Sequence, residues 1–252
     1  RQFAEQTLRS RYEVKVDCAG PEPSDPKEIK ILGRIVTFTD TGIMYEPDPG
    51  HMEKTIHELG LDDSKGVATP GVKEDSDVTA ADLLNRRKCY GPPEKPTSGT
   101  SSDDNHEGWP PLTGEELSKY RSLAASLNYF ALDRLDLMFS VKELMRKLSS
   151  PDENDWTKLK RVARYLITTP RMVMQFPWQA LGHTLTVYTD ADHAGCLRTR
   201  KSTTGGVVVW GPAILKAWSR TQTLIALSSG ESELSAVTQA AAEALGIQSV
   251  LA

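Results

Sequence analysis

The chain has 252 residues, 30 Lys and Arg against 34 Asp and Glu, a formal net charge of -4, and 38% hydrophobic residues. This is the make-up of a folded chain that can bury a core, and its acidic balance excludes a uniformly basic surface, so any phosphate-binding face must be local. Cys18, Cys89 and Cys196 are odd in number and without paired spacing, which argues against a disulfide framework and against a structural zinc site, and no apolar run approaches the ~18 residues of a membrane span. These features predict an intracellular protein, cytoplasmic or nuclear and not secreted, with no membrane partner, and the Arg at position 1 predicts a piece of something longer.

Residues 1–12 carry Phe3, Leu8 and Tyr12 among charges and predict a helix. Glu28 to Thr39 alternates loosely, with Gly33 expected as a bulge or close approach, and Asp40-Thr41-Gly42 predicts a hairpin turn into Ile43-Met44-Tyr45. Asp48 and Pro49 are the cap and first-turn proline of a helix striped by Met52, Ile56 and Leu59 and ended by Gly60. Residues 1–71 thus form a small α+β unit. Residues 72–112 shift to Pro, Gly, Ser, Thr and Asp, and have too little apolar surface to offset the entropy of ordering, so a flexible linker or insertion is expected there.

Residues 113–180 predict a helical connection. Its first helix opens with Thr113 and Glu116 at capping-box spacing and carries Leu117, Tyr120, Leu123, Ala124 and Leu127 on one face. The second has Leu137, Val141, Leu144 and Leu148; the third has Ser150 as cap, Pro151 in its first turn, Glu153 at the third position and a stripe of Trp156, Leu159, Val162, Ala163 and Leu166. Lys158, Lys160, Arg161 and Arg164 give that helix a basic side, which by itself is a solvated face.

In residues 181–252 the period changes. The run Leu185 to Tyr188 ends in Thr189-Asp190-Ala191-Asp192-His193-Ala194-Gly195, a strand that presents Asp190 at its tip, where a carboxylate can hold a metal ion. Asp192 is expected as a turn residue and His193 as a surface one. A basic turn with Arg198, Arg200 and Lys201 leads to a strand from Gly205 to Trp210 and another from Ile214 to Trp218, with both tryptophans expected in the core. These make an antiparallel meander. A helix from Ser229 follows, with Ser228 and Glu231 at capping-box spacing and with Leu234, Val237, Ala241, Ala244 and Leu245 expected against the sheet.

The strings Y-T-D-A-D-H-A-G-C-L-R-T-R-K-S-T-T-G-G from Tyr188 and S-S-G-E-S-E-L-S-A-V from Ser228 resemble the ribonuclease H domain of copia-type LTR retrotransposon Pol polyproteins. Y-R-S-L-A-A-S-L-N-Y from Tyr120 and W-T-K-L-K-R-V-A-R-Y-L from Trp156 are similar to the segment that joins reverse transcriptase to that domain, and I-K-I-L-G-R-I-V from Ile29 with H-M-E-K-T-I-H-E-L-G-L from His51 to the end of the reverse transcriptase. The resemblance implies an α+β chain: a remnant of reverse transcriptase, a helical connection, and a partial ribonuclease H-like fold of three-stranded antiparallel meander plus helix. It implies Mg2+-dependent hydrolysis of RNA in RNA–DNA hybrids, with the remainder of the Pol polyprotein as partner.

Phosphodiester hydrolysis needs an activated water and neutralised phosphate and leaving oxygens, which two Mg2+ ions about 4 Å apart supply when held by hard carboxylate oxygens. By resemblance Asp190 is the first ligand and Glu233 the second; a third Asp of the family pattern lies outside these 252 residues, so the chain by itself is expected to be inactive. Glu231 has the capping role, which leaves Glu233 for the metal. Arg198, Arg200, Lys201 and Ser202 are expected to grip the hybrid backbone, with Thr203 and Thr204 offering further hydroxyls. The rival expectation is a non-catalytic nucleic-acid-binding or structural connection module from a decayed element.

Overall fold

The computed structural model describes residues 2–13, 15, 17–72, 109–180, 184–196 and 199–251. After helix α1 (Gln2–Arg11), strands β1 (Glu28–Ile31), β2 (Arg34–Thr39) and β3 (Gly42–Pro47) form an antiparallel meander, followed by helix α2 (Gly50–Glu58). The stretch read as one strand with a bulge is two strands, because Leu32 (φ 49°) and Gly33 (φ 72°) both take positive φ and close a tight turn. The N-cap position of α2 falls on Pro49, one residue later than expected and without a side-chain cap bond, while Asp48 Oδ1 accepts from Gly50 N at 3.1 Å; Gly60 at φ 63° ends the helix.

Most of the expected linker, residues 73–108, lies outside the described residues. Its end does not: Leu112 is buried and its N–H donates to Pro151 O at 2.9 Å, so residues 109–112 are docked on the helical unit. That unit contains α3 (Gly114–Phe130), a 3-10 turn (Leu135–Leu137), α4 (Met138–Met145) and α5 (Glu153–Thr168). The apolar stripes hold: Tyr120, Leu123, Leu127, Leu137, Val141, Leu144, Leu159, Val162 and Leu166 are buried in one core, joined by Met52 of α2. The caps differ from expectation. Thr113 makes no side-chain cap bond, and α5 is capped by Asp152, whose carboxylate accepts from Asn154 N and Asp155 N while Asp155 returns a bond to Asp152 N. Ser150 is two residues too early because Pro151 and Asp152 stay extended to bridge to Pro111. The basic side of α5 is partly structural: Arg161 donates to Thr69 Oγ1 at 2.9 Å and Arg164 to Lys65 O at 2.6 Å, fastening the chain after α2.

A strand the sequence does not announce, β4 (Met174–Pro177), pairs with β3, so the first sheet has the order β1-β2-β3-β4. The first sheet and the helical unit are also tied by Arg34, paired to Asp133 at 3.0 Å, and by Tyr45 OH, which donates to Asp133 at 2.6 Å.

The second sheet is the expected meander, β5 (Leu185–Asp192), β6 (Thr203–Trp210) and β7 (Ala213–Thr221), in the order β5-β6-β7 with a bulge at Val208/Val209. Helix α6 (Ser229–Leu251) lies on one face of it. Its packing corrects the expectation. Ser232, Ala236 and Ala240 are buried, whereas Leu234, Val237 and Leu245 are 66%, 54% and 64% exposed. The small stripe lets the helix backbone approach Val208 and Trp218, and Glu243 pairs with Lys216 and Arg220 of β7, which fixes the rotation.

Candidate functional site

Strand alternation sorts β5 into two faces. Leu185, Val187, Thr189 and Ala191 point to the α6 side, and Tyr188, Asp190 and Asp192 to the other, where all three are exposed. Asp192 is thus the last strand residue rather than a turn residue, paired across the sheet with Thr203 as Asp190 is with Gly205. Opposite this face stands α4. Between them runs an open groove of about 370 Å3, with Gly205, Ala217 and Ser219 as floor, Leu135, Met138 and Phe139 as wall, and Asp190, Asp192 and Thr203 at the lip. Neither Asp190 nor Asp192 has a hydrogen bond or ion pair among the described residues. Unpaired carboxylates at a groove lip are open to a cation or a polar substrate.

Glu233 enters from α6. The expected cap is present: Ser228 Oγ accepts from Glu231 N at 3.1 Å and the Glu231 carboxylate accepts from Leu227 N at 2.7 Å, so Glu231 is committed to the helix start. Gln222 Nε2 ties Ser232 O (2.8 Å) to Thr204 Oγ1 (3.0 Å), and Thr204 lies opposite Ala191. Glu233, half-buried and unpaired among the described residues, therefore sits at the same end of β5 as Asp190. It borders the buried face through Ser232, not through Leu234, which is exposed. Asp190 points away from the helix that carries Glu233, and Glu233 does not line the groove, so the structure brings the two to one end of β5 but not to one face.

Of the expected backbone-gripping residues, Arg198 lies outside the described residues; Arg200 is exposed at φ 55°, and Lys201 is half-buried. Ser202 is fully buried and its Oγ accepts from Ala194 N at 3.0 Å, so this hydroxyl holds the loop; Thr204 is fully buried as well. The loop is docked on α4. Arg146 Nη2 donates to Cys196 Sγ at 3.0 Å, and Lys142 Nζ donates to Thr203 Oγ1 at 3.0 Å. Burial pushes the Cys196 thiol up, but hydrogen bonds from Thr199 and Arg146 outweigh it and bring the thiol down to about 7. Burial likewise works against ionised Glu143, yet Lys142 (2.9 Å) and Arg146 (3.1 Å) hold its carboxyl below the usual range.

The donor chemistry suits a hard ion: Asp190, Asp192 and Glu233 offer oxygen ligands with no competing partner among the described residues. The number does not suffice for two ions. Among the described residues no group of three or more His, Cys, Asp or Glu is gathered for a metal. Phe139 and Lys142 were not singled out by their sequence pattern; the signal is that both fall off the Leu137, Val141, Leu144 stripe while an aromatic there stays 51% exposed.

Comparison with known proteins gives the family. The chain is 35% identical over 136 residues to the retrovirus-related Pol polyprotein from transposon RE2 of Arabidopsis thaliana, which covers 53% of the chain and 9% of that protein. It is 32% identical over 229 residues to the Pol polyprotein from transposon TNT 1-94 of Nicotiana tabacum, covering 88% of the chain and 15% of that protein. A secreted RxLR effector protein of Plasmopara viticola is 35% identical over 127 residues, half of this chain and 89% of the effector. No family model and no solved structure matches the chain. The chain belongs to the copia-type retrotransposon Pol polyproteins, and it spans about a tenth of the length of the RE2 polyprotein it matches.

Proposed function

We propose that this chain carries part of a ribonuclease H-type site which, in the full Pol polyprotein, hydrolyses the RNA strand of RNA–DNA hybrids with Mg2+, and that the chain alone binds the hybrid without cutting it. The observation that carries this reading is the pair Asp190 and Asp192, exposed at the groove lip and unpaired among the described residues. Asp190 would hold the ion, which supplies charge neutralisation at the phosphate when bound, and Glu233 would have to reach it around the end of β5. The chain's own contribution is to hold Asp190 rigidly on β5, with Glu233 at the same end of the sheet on a helix start locked by Ser228, Glu231 and Gln222. Arg200 and Lys201 would contact the hybrid backbone, and the rest of Pol supplies the missing ligand.

The rival reading, a non-catalytic module that binds nucleic acid or supports the polymerase, draws on the fact that, among the described residues, no three ligand-type side chains are gathered at one point. An end-labelled hybrid separates them. A longer Pol segment containing this chain is expected to cut the RNA strand in Mg2+, and Asp190→Asn to abolish cutting while paramagnetic broadening by Mn2+ around residue 190 is lost. Undiminished cutting by the Asp190→Asn segment refutes the assignment. Cutting by the 252-residue chain alone, removed by the same substitution, refutes its inactivity.

A further inference from the structure

The wall of the groove comes from the 3-10 turn and α4, which belong to the helical unit and not to the sheet that bears the carboxylates. Met138, Phe139 and Lys142 fall on one face of α4, since residues three and four apart are neighbours on a helix. Lys142 Nζ stands 4.4 Å from the centre of the Phe139 ring and donates to Thr203 Oγ1 at 3.0 Å, across β6 from Asp192. Its side chain is only 14% exposed, and Glu143 at 2.9 Å offsets the burial of the charge. Arg146 pairs with that same glutamate at 3.1 Å and donates to Cys196 Sγ at 3.0 Å, so the Glu143 carboxylate is shared between two cations.

The choice of partner is informative. The ammonium pairs with Glu143 and forms no ion pair with Asp190 or Asp192 among the described residues, so the carboxylates stay open while a cation is fixed on Thr203 of the same groove. A polyanion drawn past Asp190 and Asp192 meets repulsion from both, and a cation hydrogen-bonded to Thr203 of the lip offsets that for one phosphate. The exposed Phe139 ring and Met138, which lines the same groove, present an apolar surface matched to a sugar or base.

We infer that the groove between α4 and the second sheet seats one nucleotide of the hybrid, with Lys142 positioning its phosphate and Phe139 packing on its sugar or base. This rests on the proposed hybrid-binding function and assigns part of the substrate contact to the helical unit.

The test measures binding of the 252-residue chain to a labelled hybrid by fluorescence anisotropy in Ca2+ across a salt series, with thermal unfolding of every variant. Lys142→Gln is expected to weaken binding about 3–10-fold and to lower the slope of log K against log salt by roughly 0.7–0.9, the loss of one phosphate contact. Lys142→Arg keeps the cation and retains the slope, and Phe139→Ala weakens binding with the slope intact. Glu143→Gln separates positioning from scaffolding: it breaks the cluster as a support but leaves both cations, so it binds as tightly as wild type or tighter. If Lys142→Gln binds with wild-type affinity and slope, or if Glu143→Gln loses binding in step with it, Lys142 is only a structural tie and the inference is overturned. A wild-type chain that binds no hybrid overturns the proposed function itself, and the inference with it.

Discussion

Removing Asp133 should loosen the first sheet from the helices by an amount the structure sets. Its carboxylate accepts from Tyr45 OH at 2.6 Å and pairs with Arg34 Nε at 3.0 Å, with side chains 8% and 20% exposed for Asp133 and Arg34. Breaking a fully buried pair costs about 3–5 kcal/mol, because a charge is stranded. Here Arg34 keeps hydrogen bonds to Leu32 O (3.1 Å) and Tyr129 OH (2.8 Å) and stacks on the Tyr129 ring at 5.1 Å, so it is not stranded. Asp133→Ala is therefore expected to cost about 2–3 kcal/mol, and Arg34→Met, which leaves the more buried carboxylate with Tyr45 alone, about 3–4 kcal/mol. In a double-mutant cycle by urea denaturation the pair should couple by about 1.5–2.5 kcal/mol, and additivity within ~0.5 kcal/mol would refute the reasoning. The Tyr45 phenol gives an independent reading. Burial and then the bond to Asp133 push it up to about 12. A raised pKa means that the stabilisation is whole below the unfolded value of ~10 and is lost as pH rises through the folded one, so Asp133→Ala should lower the midpoint of the tyrosinate absorbance change.

Cys196 should react with iodoacetamide with a pH midpoint near the value of about 7 at which Thr199 and Arg146 hold its thiol, and Arg146→Met should move that midpoint upward; an unmoved midpoint rejects the Arg146–thiolate contact. Because the folded value is depressed, this contact stabilises above the unfolded pKa and is lost as pH falls through the folded one. Gly206→Ala places a Cβ inside the Trp218 ring and should cost about 1–3 kcal/mol in urea denaturation, whereas Gly205→Ala, whose Cβ meets open space, should cost less than half as much. Asp190→Asn should change stability by less than ~0.5 kcal/mol, since an exposed and unpaired carboxylate contributes nothing to lose; a larger effect means the group is structural. With Leu224, Leu227, Leu234 and Leu245 each more than half exposed, the chain should bind a hydrophobic dye, and Leu234→Lys with Leu245→Lys should reduce that binding at unchanged unfolding temperature.

Local physics in the sequence determined much of this protein. The apolar stripes of α3, α4 and α5, the meander of β5 to β7, and the Ser228 and Glu231 cap all follow from residues a few positions apart, and the motifs at Asp190 and Glu233 led to the family. What the sequence left open depends on contacts between distant segments. β4 is four residues, too short for a period to show, and exists because β3 offers it an edge. Helix α6 has alanines or leucines on nearly every side, so its pattern cannot choose a face; the sheet chose Ser232, Ala236 and Ala240 because small side chains allow close approach and because Glu243 reaches Lys216 and Arg220. The groove beside Asp190 is likewise a tertiary product. Its wall and its cation come from Phe139 and Lys142, some fifty residues earlier in the chain, and only the docking of α4 against β7 and Thr203 brings them to the carboxylates.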